Sequence, residues 1–154
     1  MKAAALLDSN VLIAILVVEH QHHAASLNLL IDEGGAVFAV AAHSYAEAYS
    51  TLTRKGENGP YRFAPADAWT ALEGLRSLTD LVGLTPAQTL GAVRRYAESG
   101  GIGARLYDAL IGEAATMHEI PAIISWNVRH MRSLFPRLNV MNPTEFSAAR
   151  TSAR

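Results

Sequence analysis

Ala3-Ala4-Ala5-Leu6-Leu7-Asp8-Ser9-Asn10 is the stretch on which the fold turns. Its short apolar run suits a strand, and the run stops at three residues whose side chains accept hydrogen bonds from the free N–H groups at a helix start. A strand followed at once by a helix opens an alternating α/β chain.

Read outward from there, the alternation continues. A second helix is expected from about His22 to Asp32, closed by Gly34-Gly35. Ala36-Val37-Phe38-Ala39-Val40 then has the continuous apolar character of a strand covered on both faces. His43 to Lys55 reads as helix, with Tyr45, Ala48, Tyr49 and Leu52 in an i, i+3, i+4, i+7 stripe. Gly56-Glu57-Asn58-Gly59-Pro60 must be a loop. Helix resumes near Pro65, where Ala68, Leu72, Leu75 and Thr79 share a face, and Leu81 to Leu84 is the next strand. Thr85-Pro86-Ala87-Gln88 joins an N-cap, a proline at the first helical position and a glutamine placed to complete a capping box. That helix should end before Gly100-Gly101-Ile102-Gly103; Arg105 to Glu119 is helix, Pro121 to Trp126 strand, Asn127 to Leu134 a short helix, and Val140-Met141 an edge strand. The pattern predicts one α/β domain over residues 1–154, with a short parallel sheet of four to five strands and helices on both faces. In such sheets ligands bind outside the carboxyl ends of the strands, where the strand order reverses.

Composition narrows the chemistry. Half the residues are hydrophobic, but the longest apolar run, Val11 to Val18, is far short of the ~20 residues a membrane span needs. No secretory signal is recognisable, so a cytoplasmic protein is expected. The absence of cysteine excludes disulfides, thiolate metal sites and cysteine nucleophiles, leaving oxygen and imidazole chemistry. The formal charge is −1 overall. Counted by halves, residues 1–93 carry five Lys and Arg against nine Asp and Glu, or −4, and residues 94–154 carry eight against five, or +3. A phosphate-binding face is therefore expected to draw on the C-terminal half.

Asp8 ends the first strand, Glu47 lies about one turn into the helix after the second, and Asp108 stands early in the helix leading to the fourth. All three can reach the carboxyl edge of the sheet. Clustered carboxylates repel one another and raise at least one pKa unless a cation intervenes. Oxygen-only ligands suit Mg2+ or Mn2+, which bridge to substrate phosphates, so phosphodiester hydrolysis is the expected chemistry.

Four motifs in order carry a family resemblance: Leu6-Leu7-Asp8-Ser9-Asn10-Val11-Leu12, Ser44-Tyr45-Ala46-Glu47, Leu106-Tyr107-Asp108-Ala109-Leu110-Ile111 and Ser125-Trp126-Asn127-Val128-Arg129-His130. Together they resemble PIN-domain ribonucleases, specifically the VapC-type toxins of VapBC toxin–antitoxin pairs, from Ala3 to about Pro143. The resemblance implies a PIN-like three-layer α/β/α fold and an Mg2+- or Mn2+-dependent endoribonuclease. It also implies a cognate VapB-like antitoxin and a homodimer. Asp8, Glu47 and Asp108 match the family's metal-site acids. Asn127 falls where many relatives have a fourth acid, so one tightly held ion is expected, with any second recruited by the RNA phosphate. Ser9 and Ser125 are candidate hydrogen-bonding helpers, and Arg129 and Arg132 candidate phosphate ligands.

Blander readings stand beside these. Asp8 alone could be a helix cap, Glu47 a solvated helix residue, and Asp108 the partner of Arg105. His20, His22 and His23 read as solvent-exposed residues rather than a zinc cluster, His43 as a helix-start residue, and His130 as either an RNA contact or a partly buried structural histidine. Glu113, five residues beyond Asp108, is ~140° away around the helix and reads as surface, as do Arg94 and Arg95. Tyr45, Tyr49, Trp69 and Tyr107 read as core or subunit-contact aromatics, or as a stacking platform for a base. The functional rival is a non-catalytic PIN-like module that binds RNA or protein through a weakened metal site. An aspartyl phosphatase is disfavoured by Asn10, two residues after Asp8, where a second acid would be needed.

Overall fold

The computed structural model describes residues 2–31 and 35–154. In chain order it comprises β1 (Ala5–Leu7), α1 (Ser9–Leu16), α2 (His23–Ile31), β2 (Phe38–Ala41), α3 (Ala42–Thr53), α4 (Pro65–Arg76), β3 (Asp80–Val82), α5 (Pro86–Glu98), α6 (Arg105–Met117), β4 (Ala122–Ile124), α7 (Val128–Leu134), β5 (Asn139–Met141) and α8 (Pro143–Ser152). The expected end of the second helix, at Asp32 and Gly34, lies outside the described residues.

The strands form one parallel sheet in the order β3-β2-β1-β4-β5. Each central strand divides its side chains between two cores, as a period-2 strand covered on both faces must. Ala5 and Leu7, Phe38 and Val40, and Ala122 and Ile124 join α1, α2, α3, α4 and α8 on one face. Leu6, Ala39, Ala41 and Ile123 meet α6 and α7 on the other. The result is a three-layer α/β/α sandwich. After β1, β2 and β3 the chain crosses back to lay β4 on the other side of β1, so the strand order reverses between β1 and β4. Asp8 follows β1 and Ser125 follows β4, directly at that reversal.

Local signals explain most of the boundaries. The capping box at Thr85 forms, with Gln88 N donating to Thr85 Oγ1 and Thr85 N to Gln88 Oε1. Strands are shorter than the apolar runs that mark them, because only residues reaching a neighbouring strand join the ladder; Ala3, Ala4 and Ala36 flank strands without belonging to one. The sequence reading did not include α8. Its start, Asn142-Pro143-Thr144-Glu145, is a second capping box of the same kind as the one at Thr85, and Phe146 packs it edge-on against Phe38. Among the described residues no helix is long and apolar enough to cross a membrane.

Candidate functional site

Asp8 is almost fully buried, 3% exposed. Its backbone N–H donates to Ile124 O, tying it to the end of β4. One carboxylate oxygen, Oδ1, accepts from Ser9 N at 2.7 Å. The other, Oδ2, accepts from Ser125 Oγ at 2.7 Å and from Asn10 Nδ2 at 3.2 Å. The helix-cap reading of Asp8 is therefore correct: Oδ1 caps α1, while Oδ2 is held by Ser125 and Asn10.

Ser125 is the hub of this side of the site. It is fully buried, donates to Asp8, and accepts from Asn10 Nδ2 and from Asn127 N, each at 3.0 Å. Asn10 Oδ1 in turn accepts from Trp126 N, so four hydrogen bonds join the two chain segments at the strand-order reversal. The Asn127 side chain makes no capping bond to α7. Ser9 Oγ stands 3.5 Å from Asp8 Oδ1.

Glu47 arrives from α3 and Asp108 from the first turn of α6. Both are partly open, with side chains 33% and 26% exposed. Burial, then the charges of Asp8 and Asp108, push the Glu47 carboxyl up to about 7. Burial pushes Asp8 up to about 6; the Ser125 hydrogen bond opposes that and the Asp108 charge adds to it. The three acids thus repel one another at the carboxyl edge of the sheet. Glu47 Oε1 is buried and has no hydrogen-bond partner.

Two histidines complete the surroundings. His130 Nε2 lies 3.0 Å from Asp108 Oδ2, an ion-pair contact without the direction of a good hydrogen bond. His43 Nε2 is 3.7 Å from Glu47 Oε1, and burial holds this imidazole below its usual range, against the raising effects of a hydrogen bond to the Tyr107 backbone and the charge of Asp108. At the far end of α7 the Phe135 ring packs onto Gly112 of α6, in space that a Cβ there would take. Sequence reading missed His43 as a site neighbour; its signal was the i, i+4 spacing to Glu47.

Other expectations are corrected. Asp108 pairs with His130 rather than Arg105, which lies on the same helix but makes no ion pair with it. Arg132 donates to Val140 O from both Nε and Nη2 and lies 3.4 Å from Glu145, so its guanidinium is committed to the β5 end instead of facing a phosphate. Arg129 is exposed. Arg95 and Glu113 do not stand in solvent separately but pair at 2.8 Å between α5 and α6. The three neighbouring histidines are not simply solvated: His22 stacks on Trp126 at 3.8 Å between ring centroids, and His23 Nδ1 is 2.9 Å from Ala14 O. Trp69 is 60% exposed, which removes it from the core.

Among the described residues no three His, Asp or Glu side chains already converge on one point at metal-ligand distances. Asp8 is instead bonded to Ser125 and Asp108 paired with His130, while Glu47 Oε1 has only His43 at 3.7 Å. The donor set nonetheless fits a hard divalent ion: carboxylate oxygens, mutual repulsion that positive charge would relieve, and a buried Glu47 oxygen with nothing to bond.

A model of the PIN domain family matches residues 5–132. Among solved structures, the chain is similar to Mycobacterium tuberculosis VapC20, described as a sarcin–ricin-loop-cleaving toxin, with a TM-score of 0.66 and 12% identity over 84% of this chain and 94% of that one. VapBC2 from Rickettsia felis, solved with a DNA fragment from its promoter, aligns with a TM-score of 0.61 and 16% identity over 90% and 97% of the two chains. FitAB bound to an IR36 DNA fragment aligns with a TM-score of 0.54 and 18% identity over 90% and 94%. At these identities the likeness bears on the fold. No curated protein sequence matches significantly.

Proposed function

Because the chain belongs to the PIN domain family, we propose that it is a VapC-type toxin, an Mg2+- or Mn2+-dependent endoribonuclease that hydrolyses RNA phosphodiester bonds and leaves 5′-phosphate and 3′-hydroxyl ends. The observation that carries this reading is the coupled set of acids at the strand-order reversal, with both Asp8 and Glu47 raised by burial and by neighbouring negative charge.

In this reading Asp8, Glu47 and Asp108 hold the ion, with the Asn127 carbonyl oxygen as a neutral fourth donor. A bound divalent ion supplies the positive charge that stabilises the phosphate and acidifies an attacking water. Ser125 and Asn10 fix the Asp8 Oδ2 lone pairs, as partners of ligating carboxylates do. His130 sets the orientation of Asp108 in the same way. In the same reading Ser9, next to Asp8, bonds a phosphate oxygen, and exposed Arg129, two residues after Asn127, supplies positive charge to the RNA.

An antitoxin of the VapB kind and a second copy of the chain are the proposed protein partners. Support comes from the similarity to VapBC2 and FitAB and from apolar side chains left on the surface, Leu90 at 71% and Ile102 at 83% exposed. The test is cleavage of RNA by the purified protein with and without Mn2+, beside Asp108→Asn. A non-catalytic module would titrate no ion by calorimetry and cut nothing.

A further inference from the structure

We infer that the cleft running from Glu47 along α3 is a nucleotide subsite for single-stranded RNA, in which Arg54 binds the phosphate next to the scissile one and Tyr107 stacks on the adjoining base. This rests on the ribonuclease reading and adds to it where the strand lies.

A cavity of about 400 Å3 opens beside the acids, lined by His43, Glu47, Ser50, Thr51, Arg54 and Tyr107. Glu47, Ser50 and Thr51 occupy one face of α3 at i, i+3 and i+4, and Arg54 is the residue that caps its C-terminus, so the cleft runs about 10 Å, two helical turns, from Glu47. Its two ends differ in charge. The Glu47 end is acidic and suits an ion bridging to a phosphate, whereas the far end presents a guanidinium, the side chain best shaped to bond phosphate oxygens in pairs. Among the described residues Arg54 makes no side-chain hydrogen bond or ion pair, in contrast to Arg94, Arg95 and Arg132, which are all engaged. Tyr107 forms the opposite wall. It stands at the first turn of α6, one residue before Asp108, and its ring is 49% exposed, open to a stacking partner. An exposed aromatic ring and an unengaged arginine lining one cleft are the arrangement by which unpaired bases and their phosphates are held without sequence reading of a duplex. Ser50 and Thr51 supply hydroxyls between the two.

The test is a kinetic and binding comparison of the full chain with Arg54→Ala, Arg54→Lys, Tyr107→Ala and Tyr107→Phe, on one single-stranded oligoribonucleotide that the wild type cuts in Mn2+. Both positions are exposed, and matched melting temperatures verify folding. Arg54→Ala is expected to raise KM about tenfold with kcat within about threefold, and to reduce the slope of log affinity against log salt by about one phosphate's worth, while Arg54→Lys restores most of the slope. Tyr107→Ala is expected to weaken binding by about tenfold, and Tyr107→Phe to leave it unchanged, because the ring and not the hydroxyl makes the contact. Wild-type cleavage with KM and salt slope unaltered in both alanine variants overturns the subsite alone. Absence of any RNA cleavage or binding by the wild type overturns the ribonuclease reading and the subsite with it.

Discussion

Ser125 Oγ donates to Asp8 Oδ2 at 2.7 Å across the point where the strand order reverses, joining residues 117 apart in sequence. Both side chains are buried, so water is not available to replace the bond. Removing the hydroxyl takes away one of the two donors on Asp8 Oδ2 and the acceptor of Asn127 N, and leaves Asn10 Nδ2 only its longer bond to Asp8. Ser125→Ala should therefore lower stability by about 1–3 kcal/mol and weaken divalent-ion binding by roughly 10–100-fold. Thermal melts and Mn2+ titration calorimetry check the two halves of this; an unchanged ion affinity would show that Ser125 does not act through Asp8.

The metal-free protein should lose stability as pH rises. Asp8 and Glu47 titrate at about 6 and about 7 in the folded chain, above their unfolded values of about 4, so the folded state binds more protons across that interval. The stability they contribute is complete below about pH 4 and is lost as pH rises through 6 and 7. For buried Asp8 the swing is on the order of 3 kcal/mol, and half-open Glu47 adds less. Melting in chelator should fall between pH 5 and pH 8, and added Mn2+ should raise it more at pH 8, where it binds ionised carboxylates. A chelated melting temperature that stays flat would contradict the burial that raises the two carboxyls.

Asp8→Asn should abolish cleavage and reduce the fall of the chelated melting temperature between pH 5 and pH 8. The amide does not titrate, so the Asp8 share of the swing disappears; its oxygen still accepts from Ser9 N, but its NH2 faces the Ser125 and Asn10 donors, so the variant melts below the wild type at pH 5. Melting curves in chelator and an RNA cleavage assay, run side by side, check both outcomes, and a variant that still cuts RNA contradicts the role given to Asp8.

Asn127→Asp restores the fourth acid. Its side chain caps nothing, so the substitution adds charge without breaking a hydrogen bond. Activity should depend on Mn2+ concentration with a steeper, two-ion response, while the chelated protein melts lower at pH 8 than the wild type.

How much of this could be read from the sequence follows from where each signal lies. The apolar runs at Leu6-Leu7 and Val37 to Val40 and the capping box at Thr85 are local, and they gave the parallel sheet and its helices. Asp8 was legible for the same reason, standing alone after a strand. Arg132 was misread because its partner, Val140 O, belongs to a neighbouring strand, and no spacing along the chain reveals which way a surface arginine turns. His130 meets Asp108 across α7 and α6, a tertiary contact without a sequence period. Missing α8 had no such excuse: Asn142-Pro143-Thr144-Glu145 carries the same physical signal as Thr85-Pro86-Ala87-Gln88.

The most direct measurement is end-mapping of a structured RNA incubated with purified protein in chelator, in Mg2+ and in Mn2+, with Asp108→Asn in parallel. The carboxylate-held ion predicts discrete cuts bearing 5′-phosphates only when a divalent ion is present and only with Asp108 intact. Equal cutting in chelator, or an Asp108→Asn protein as fast as the wild type, would contradict it.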